Sequence, residues 1–134
     1  MAEYSNAAIQ TVAAGASVLF TESLCGCSCG IMHRAGSGLF TISRPGKYRV
    51  TFGANLSVPT GGDAGPVSVA IAIDGEALNS ATATVTPAAA DQYFNVAAVA
   101  TVYVPCSCCA AISVRNPGTV PVSVSNPNLI IEPA

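Results

Sequence analysis

The sequence predicts an all-β domain, a sandwich or barrel of short strands, on three observations. First, Tyr48, Val50, Phe52, Ala54, Leu56 and Val58 alternate with Arg49, Thr51, Gly53, Asn55 and Ser57. A period of two with one apolar and one polar side marks a long strand with one face on a core. Second, short apolar or β-branched runs recur along the chain, punctuated by Gly and Pro at 59–66, Asp74-Gly75, Pro117-Gly118 and Asn126-Pro127. That cadence belongs to sandwiches and barrels. Third, 51% of residues are hydrophobic and only 9% are charged, against about 25% charged in an ordinary globular domain. At 134 residues the chain is expected to form one domain, 1–134, long enough to bury a core.

Taken in order, residues 7–12 and 17–21 are expected as two short strands broken at Gly15. Thr11, Val12, Val18, Phe20 and Thr21 outweigh the helix propensity of the neighbouring alanines. Residues 25–30 form a loop of small side chains, and 31–34 a short strand before 35–38. Two extended segments then flank Arg44-Pro45-Gly46. Pro45 presets φ and Gly46 permits a positive φ, which suits a tight turn between strands. After the breaker-dense loop 59–66, Val67, Val69, Ile71 and Ile73 alternate with small or polar residues, and Asp74-Gly75 signals a hairpin into 78–86. The stretch 93–104 carries Phe94, Val96, Ala98, Ala100, Val102 and Val104 on one face, with Val99 and Tyr103 on the other. Apolar residues on both faces imply cover on both sides, so this strand is expected at a subunit contact. Strands at 110–116, 120–125 and 129–132 complete the chain.

The low charge also bears on function. A membrane-spanning helix needs ~20 apolar residues, and the longest apolar run, 96–104, is far shorter and interrupted by Thr101. Small Ala and Val on the apolar faces, with no Trp and 6% aromatics, argue against a membrane barrel and its aromatic girdles. The expectation is a soluble protein that hides side surface in an oligomer, with no membrane insertion. A net charge of −2 with scattered Lys and Arg excludes a phosphate-binding patch, so no nucleic acid is expected. Residues 1–6 lack a basic segment followed by an apolar one, so synthesis and first folding are expected in a cytoplasm.

Gly38-Leu39-Phe40-Thr41, then Pro45-Gly46-Lys47-Tyr48 and a long alternating strand, resemble the signature of the complement-type globular head domains, which belong to the tumour-necrosis-factor-like jelly rolls. The later order is similar too: a strand ending in Asp74-Gly75-Glu76, paired late strands at 94–104 and 110–114, and a closing Leu129-Ile130-Ile131. The resemblance covers the chain from about Ile9 onward. It implies a ten-stranded jelly-roll sandwich of two antiparallel sheets, packed as a compact homotrimer, with a non-enzymatic role. The trimer contact would fall on Tyr93, Val99 and Tyr103, with Tyr4 as a further aromatic at the axis or on the surface. The expected role is a structural or adhesive subunit of a phage virion, decorating a head or forming a fibre knob. The alternatives are a bacterial surface, filament or spore-coat subunit, or a glycan-binding module.

Candidate chemistry is sparse, and no cofactor is expected. Six cysteines fall in two loop clusters, Cys25, Cys27, Cys29 and Cys106, Cys108, Cys109. Disulfides within or between subunits, free thiols and a thiolate metal site with His33 all remain open, although Cys-x-Cys is tight for zinc. His33 beside thiols suggests a nucleophile pair, but no orienting third group is evident. Asp63, Asp74, Glu76 and Asp91 sit in turns, where stabilising the turn is commoner than acid–base work or calcium binding. Asn55-Leu56-Ser57 matches a glycosylation sequon inside a strand and reads as chance.

Overall fold

The structure, a computed structural model, describes residues 2–23, 30–106 and 109–134. Among them are eleven strands and no helix: β1 (Ala2–Ser5), β2 (Gln10–Val12), β3 (Glu22–Ser23), β4 (Ile31–His33), β5 (Phe40–Ile42), β6 (Gly46–Ser57), β7 (Val67–Ile73), β8 (Glu76–Val85), β9 (Phe94–Val104), β10 (Ala110–Arg115) and β11 (Val122–Pro133). The first sheet runs β3-β1-β11-β6-β9, with β2 also on β11; the second runs β4-β5-β10-β7-β8. All strand pairs are antiparallel. The two open sheets face each other as a jelly-roll sandwich. The strand count exceeds ten because the N-terminal segment supplies three short pieces.

The alternation in β6 does what its period requires. Tyr48, Val50, Phe52, Ala54 and Leu56 are buried, and Val58 beyond the strand end is buried with them. Phe20, Phe40 and Phe52 meet edge to face in the core, with ring centroids 5.4 and 6.4 Å apart. Such pairs add about 0.5–1.5 kcal/mol beyond burial. Tyr4 joins them, its ring 4.6 Å from Phe40. It is a core residue and not the surface or axial aromatic that the sequence suggests. Its strand, β1, was not legible at 2–5, since four residues show too short a pattern; pairing with β11 creates it.

Arg44-Pro45-Gly46 is the turn between strands that the sequence predicts, and the strands it joins belong to different sheets, β5 to the second and β6 to the first. The corner carries the chain across the sandwich, and the Tyr48 hydroxyl donates to the Arg44 carbonyl at 2.8 Å to hold it. Asn126-Pro127, by contrast, does not separate two strands as expected. β11 is continuous, with a register shift between Ser125 and Asn128 and Asn126 at φ 52°. A bulge accommodates the missing proline donor while pairing resumes on both sides. Asp74-Gly75 behaves as read: φ values of 53° and 85° suit a two-residue hairpin between β7 and β8.

β10 and the residue after it tie several turns together. The Arg115 guanidinium donates to the Gly75 carbonyl at 2.6 Å and the Gly15 carbonyl at 2.7 Å, joining the hairpin to the N-terminal turn. Asn116 is buried; its amide donates to the Val12 and Val120 carbonyls at 3.1 and 2.8 Å, and its Oδ1 accepts from Gly118 N–H at 3.0 Å.

Two predictions follow from this packing. Asn116→Ala leaves buried carbonyls without donors and is expected to cost about 1–3 kcal/mol, read as a melting temperature several degrees lower. Asn116→Asp, which keeps the acceptor but loses both donations and buries a charge, is expected to be at least as damaging at neutral pH. Burial raises the Tyr4 phenol above its ordinary 10.0. Above pH ~10 the unfolded chain therefore releases a proton that the folded chain retains, and stability falls as pH rises. Tyr4→Phe should move the alkaline unfolding midpoint to higher pH in a circular-dichroism titration.

Candidate functional site

The outer face of the first sheet is the most distinctive surface of the chain. In β9, Val96, Ala98, Ala100, Val102 and Val104 are buried, so Ala97, Val99, Thr101 and Tyr103 must point outward. Val99 is 52% and Tyr103 66% exposed. Among the described residues, none supplies the cover that the sequence implies for this side. Strand pairing sets the neighbours: Lys47 lies beside Tyr103, Arg49 beside Thr101, Thr51 beside Val99 and Gly53 beside Ala97. On the other edge of β6, Glu132, Ile130 and Asn128 face Arg49, Thr51 and Gly53. Arg49 and Glu132 form an exposed ion pair at 3.5 Å.

Gly53 is informative. Its φ lies outside the left-handed region, and a Cβ there would meet nothing nearer than the Val96 carbonyl oxygen at 3.8 Å. Neither backbone nor packing within the chain requires glycine, and glycine in a strand costs about 0.5–1 kcal/mol. Its effect is to keep the outer face low between Thr51 and Asn55, as where another backbone approaches closely.

The three aromatic and aliphatic residues singled out for a subunit contact therefore differ in setting. Val99 and Tyr103 stand on the open outer face. Tyr93 is half-buried at the loop end, its hydroxyl 2.7 Å from Ser123 Oγ.

A groove of about 830 Å3 opens at the loop end, between residues 59–66 and 117–121. Val58, Pro66, Val120 and Pro121 make it mainly apolar, with Asp63 and Thr11 among its polar members. No aromatic side chain lines it. Thr60 donates to Asp91 at 2.7 Å, and Asp91 N–H donates to the Val58 carbonyl at 3.0 Å, fixing one wall. Sequence reading missed the groove, because it arises where loops distant in the chain meet.

Cys106 and Cys109 are exposed at the opposite end, where β9 passes to β10. Cys25, Cys27, Cys29 and Cys108 lie outside the described residues. Ile31 and Ala110 both pair with Ile42, so the described residues that follow the two clusters flank the same strand. His33 stacks on Phe40, centroids 4.2 Å apart and planes at 10°, and its Nε2 is 2.8 Å from the Ser37 carbonyl. A carbonyl only accepts, so this nitrogen carries a proton and donates. Asp74 accepts from Ala111 N–H at 3.0 Å. Among the described residues no three His, Cys, Asp or Glu side chains gather as a metal site.

No protein-family model and no curated protein sequence matches the chain. Among solved structures, the globular domain of the zebrafish complement 1qA protein is similar over 96% of this chain and 94% of its own, at 12% identity and a TM-score of 0.63. That similarity shows the complement-type, tumour-necrosis-factor-like fold. PRD1 vertex protein P5 aligns over 99% of this chain and 97% of its own, at 12% identity and a TM-score of 0.48. The C-terminal domain of the sugar-binding protein EclA aligns over 95% and 79%, at 11% identity and a TM-score of 0.39.

Exposure predicts the behaviour of one thiol. In the folded, reduced chain Cys106 is expected to be alkylated at a rate within about tenfold of the unfolded chain, as solvent access allows. Mass mapping after a timed pulse of reagent measures it.

Proposed function

We propose that this chain is a non-enzymatic structural subunit that works as a homotrimer, joined through the outer face of β11, β6 and β9. The observation that carries the reading is the open face bearing Val99 and Tyr103 at the margin of an eleven-residue strand. Ala, Val and Tyr on a sheet margin with no Lys and no Pro form an edge that soluble proteins cover. A closed ring of copies covers it without open-ended growth. Gly53 leaves room for the neighbour's backbone, and Tyr93 supports the loop end of the same sheet from within the chain.

In this reading the trimer belongs to a larger surface assembly, first of all a phage particle, as a head decoration or fibre knob. A bacterial surface, filament or spore-coat subunit is the alternative setting for the same trimer. Exposed Cys106 would serve a cross-link between copies once the particle meets an oxidising medium. The apolar groove favours glycan binding less, because sugar rings are commonly held on aromatic faces and its lining has none.

The test is association of the purified chain in reductant, followed by light scattering at micromolar concentration. A trimer is expected, and a monomer would sink the reading. Gly53→Thr should leave the melting temperature of the unassociated chain equal or higher, since Thr suits a strand, while weakening the trimer at least about tenfold. Tyr103→Arg should weaken it similarly without changing the fold by circular dichroism. Cosedimentation with a phage or cell-surface particle would identify the setting.

A further inference from the structure

The chain has five Lys and Arg and seven Asp and Glu, and the outer face of the first sheet holds Lys47, Arg49, Glu3, Glu22 and Glu132. They are not mixed. Across the order β3-β1-β11-β6-β9, Glu22 is on β3, Glu3 on β1 and Glu132 on β11; Lys47 and Arg49 are on β6, beside the open residues of β9. All five share the outer face. Tyr4, Tyr48, Leu129 and Ile131 point into the core, so their strand neighbours Glu3, Lys47, Arg49, Ile130 and Glu132 point out. Glu22 pairs with the outward Ser5. The face thus grades from acidic, through the Arg49–Glu132 ion pair, to basic and then apolar.

The partners within the chain leave both margins charged. Lys47 makes no ion pair among the described residues. Among the described residues, Glu22 accepts from the Ser5 hydroxyl, at 3.3 Å, and Glu3 from the Asn128 amide, at 2.8 Å. Neither bond neutralises a carboxylate. In a protein with 9% charged residues, an acidic margin and a basic margin on one face form a complementary pair.

We propose that the occupant of the β6–β9 margin is the β1–β3 margin of a second copy, with Lys47 of one chain set against Glu3 and Glu22 of the next. This inference rests on the self-association proposed above and adds its orientation. Like margins meeting would set Lys47 near its own copy and the glutamates near theirs, which repel; unlike margins attract and fix the register. Contact between two different margins is head to tail, the type that closes into rings.

Charge reversal tests it in the full-length chain, in reductant, by sedimentation velocity across a concentration series. Lys47→Glu is expected to weaken association at least about tenfold, and Glu3→Lys with Glu22→Lys to do the same. The three reversals combined in one chain should recover the wild-type constant within about threefold, because the margins again carry opposite signs. Glu22→Lys alone, on a side chain with one long hydrogen bond, guards against a folding effect from losing the Glu3–Asn128 contact. Wild-type association should weaken as salt rises from about 0.05 to about 0.5 M. A wild-type chain that stays monomeric defeats the self-association reading. A chain that associates but ignores the reversals, or whose combined variant fails to recover, overturns the paired margins alone.

Discussion

The pairing of β6 on both of its edges is the constraint that the rest of the sandwich obeys. Its twelve residues bond to β11 on one side and β9 on the other over nearly the whole length. A slip of one residue would turn Phe52 and its companions outward and bring Arg49 and Thr51 into the core. Burial of that single face therefore sets the register of three strands together. β11 in turn positions β1 and β2. The bulge at Asn126-Pro127 is the concession that lets one strand serve all these partners.

With few charges, the molecule holds its loops by hydrogen bonds to backbone carbonyls. Arg115 and Asn116 use four of them, on Gly75, Gly15, Val12 and Val120. Arg49–Glu132 is the one ion pair between described residues, and it is exposed, so its contribution to stability is small. A fold held this way depends little on salt or on pH near neutrality. The same scarcity gives the few outward charges of the first sheet their weight, since nothing nearby obscures their grading.

The proposed assembly and the fold share one geometry. The inward residues of β9 complete the core, and the alternation that places them inward forces Val99 and Tyr103 outward. The assembly proposed above would cover that second face of the edge strand. Gly53 across the strand pair keeps that face low at a cost to strand stability, a cost for which the proposed contact would account.

Much of this was legible in the sequence. The alternation from Tyr48 to Val58 revealed the central strand, and Asp74-Gly75 its hairpin, because both signals are local: a period of two and a backbone that tolerates positive φ. The double apolar character of 93–104 marked the unusual face. Sequence alone determined which side chains seek burial and where the chain can turn. Tertiary structure decided what each turn joins: Arg44-Pro45-Gly46 crosses between sheets, and Asn126-Pro127 is absorbed within a strand. It also drew Tyr4 into the core, formed the groove from separate loops, and set the glutamates of β1, β3 and β11 on one sheet face with the cations of β6. Those outcomes depend on strand order, and strand order is set by contacts between residues far apart in the chain, which no local pattern encodes.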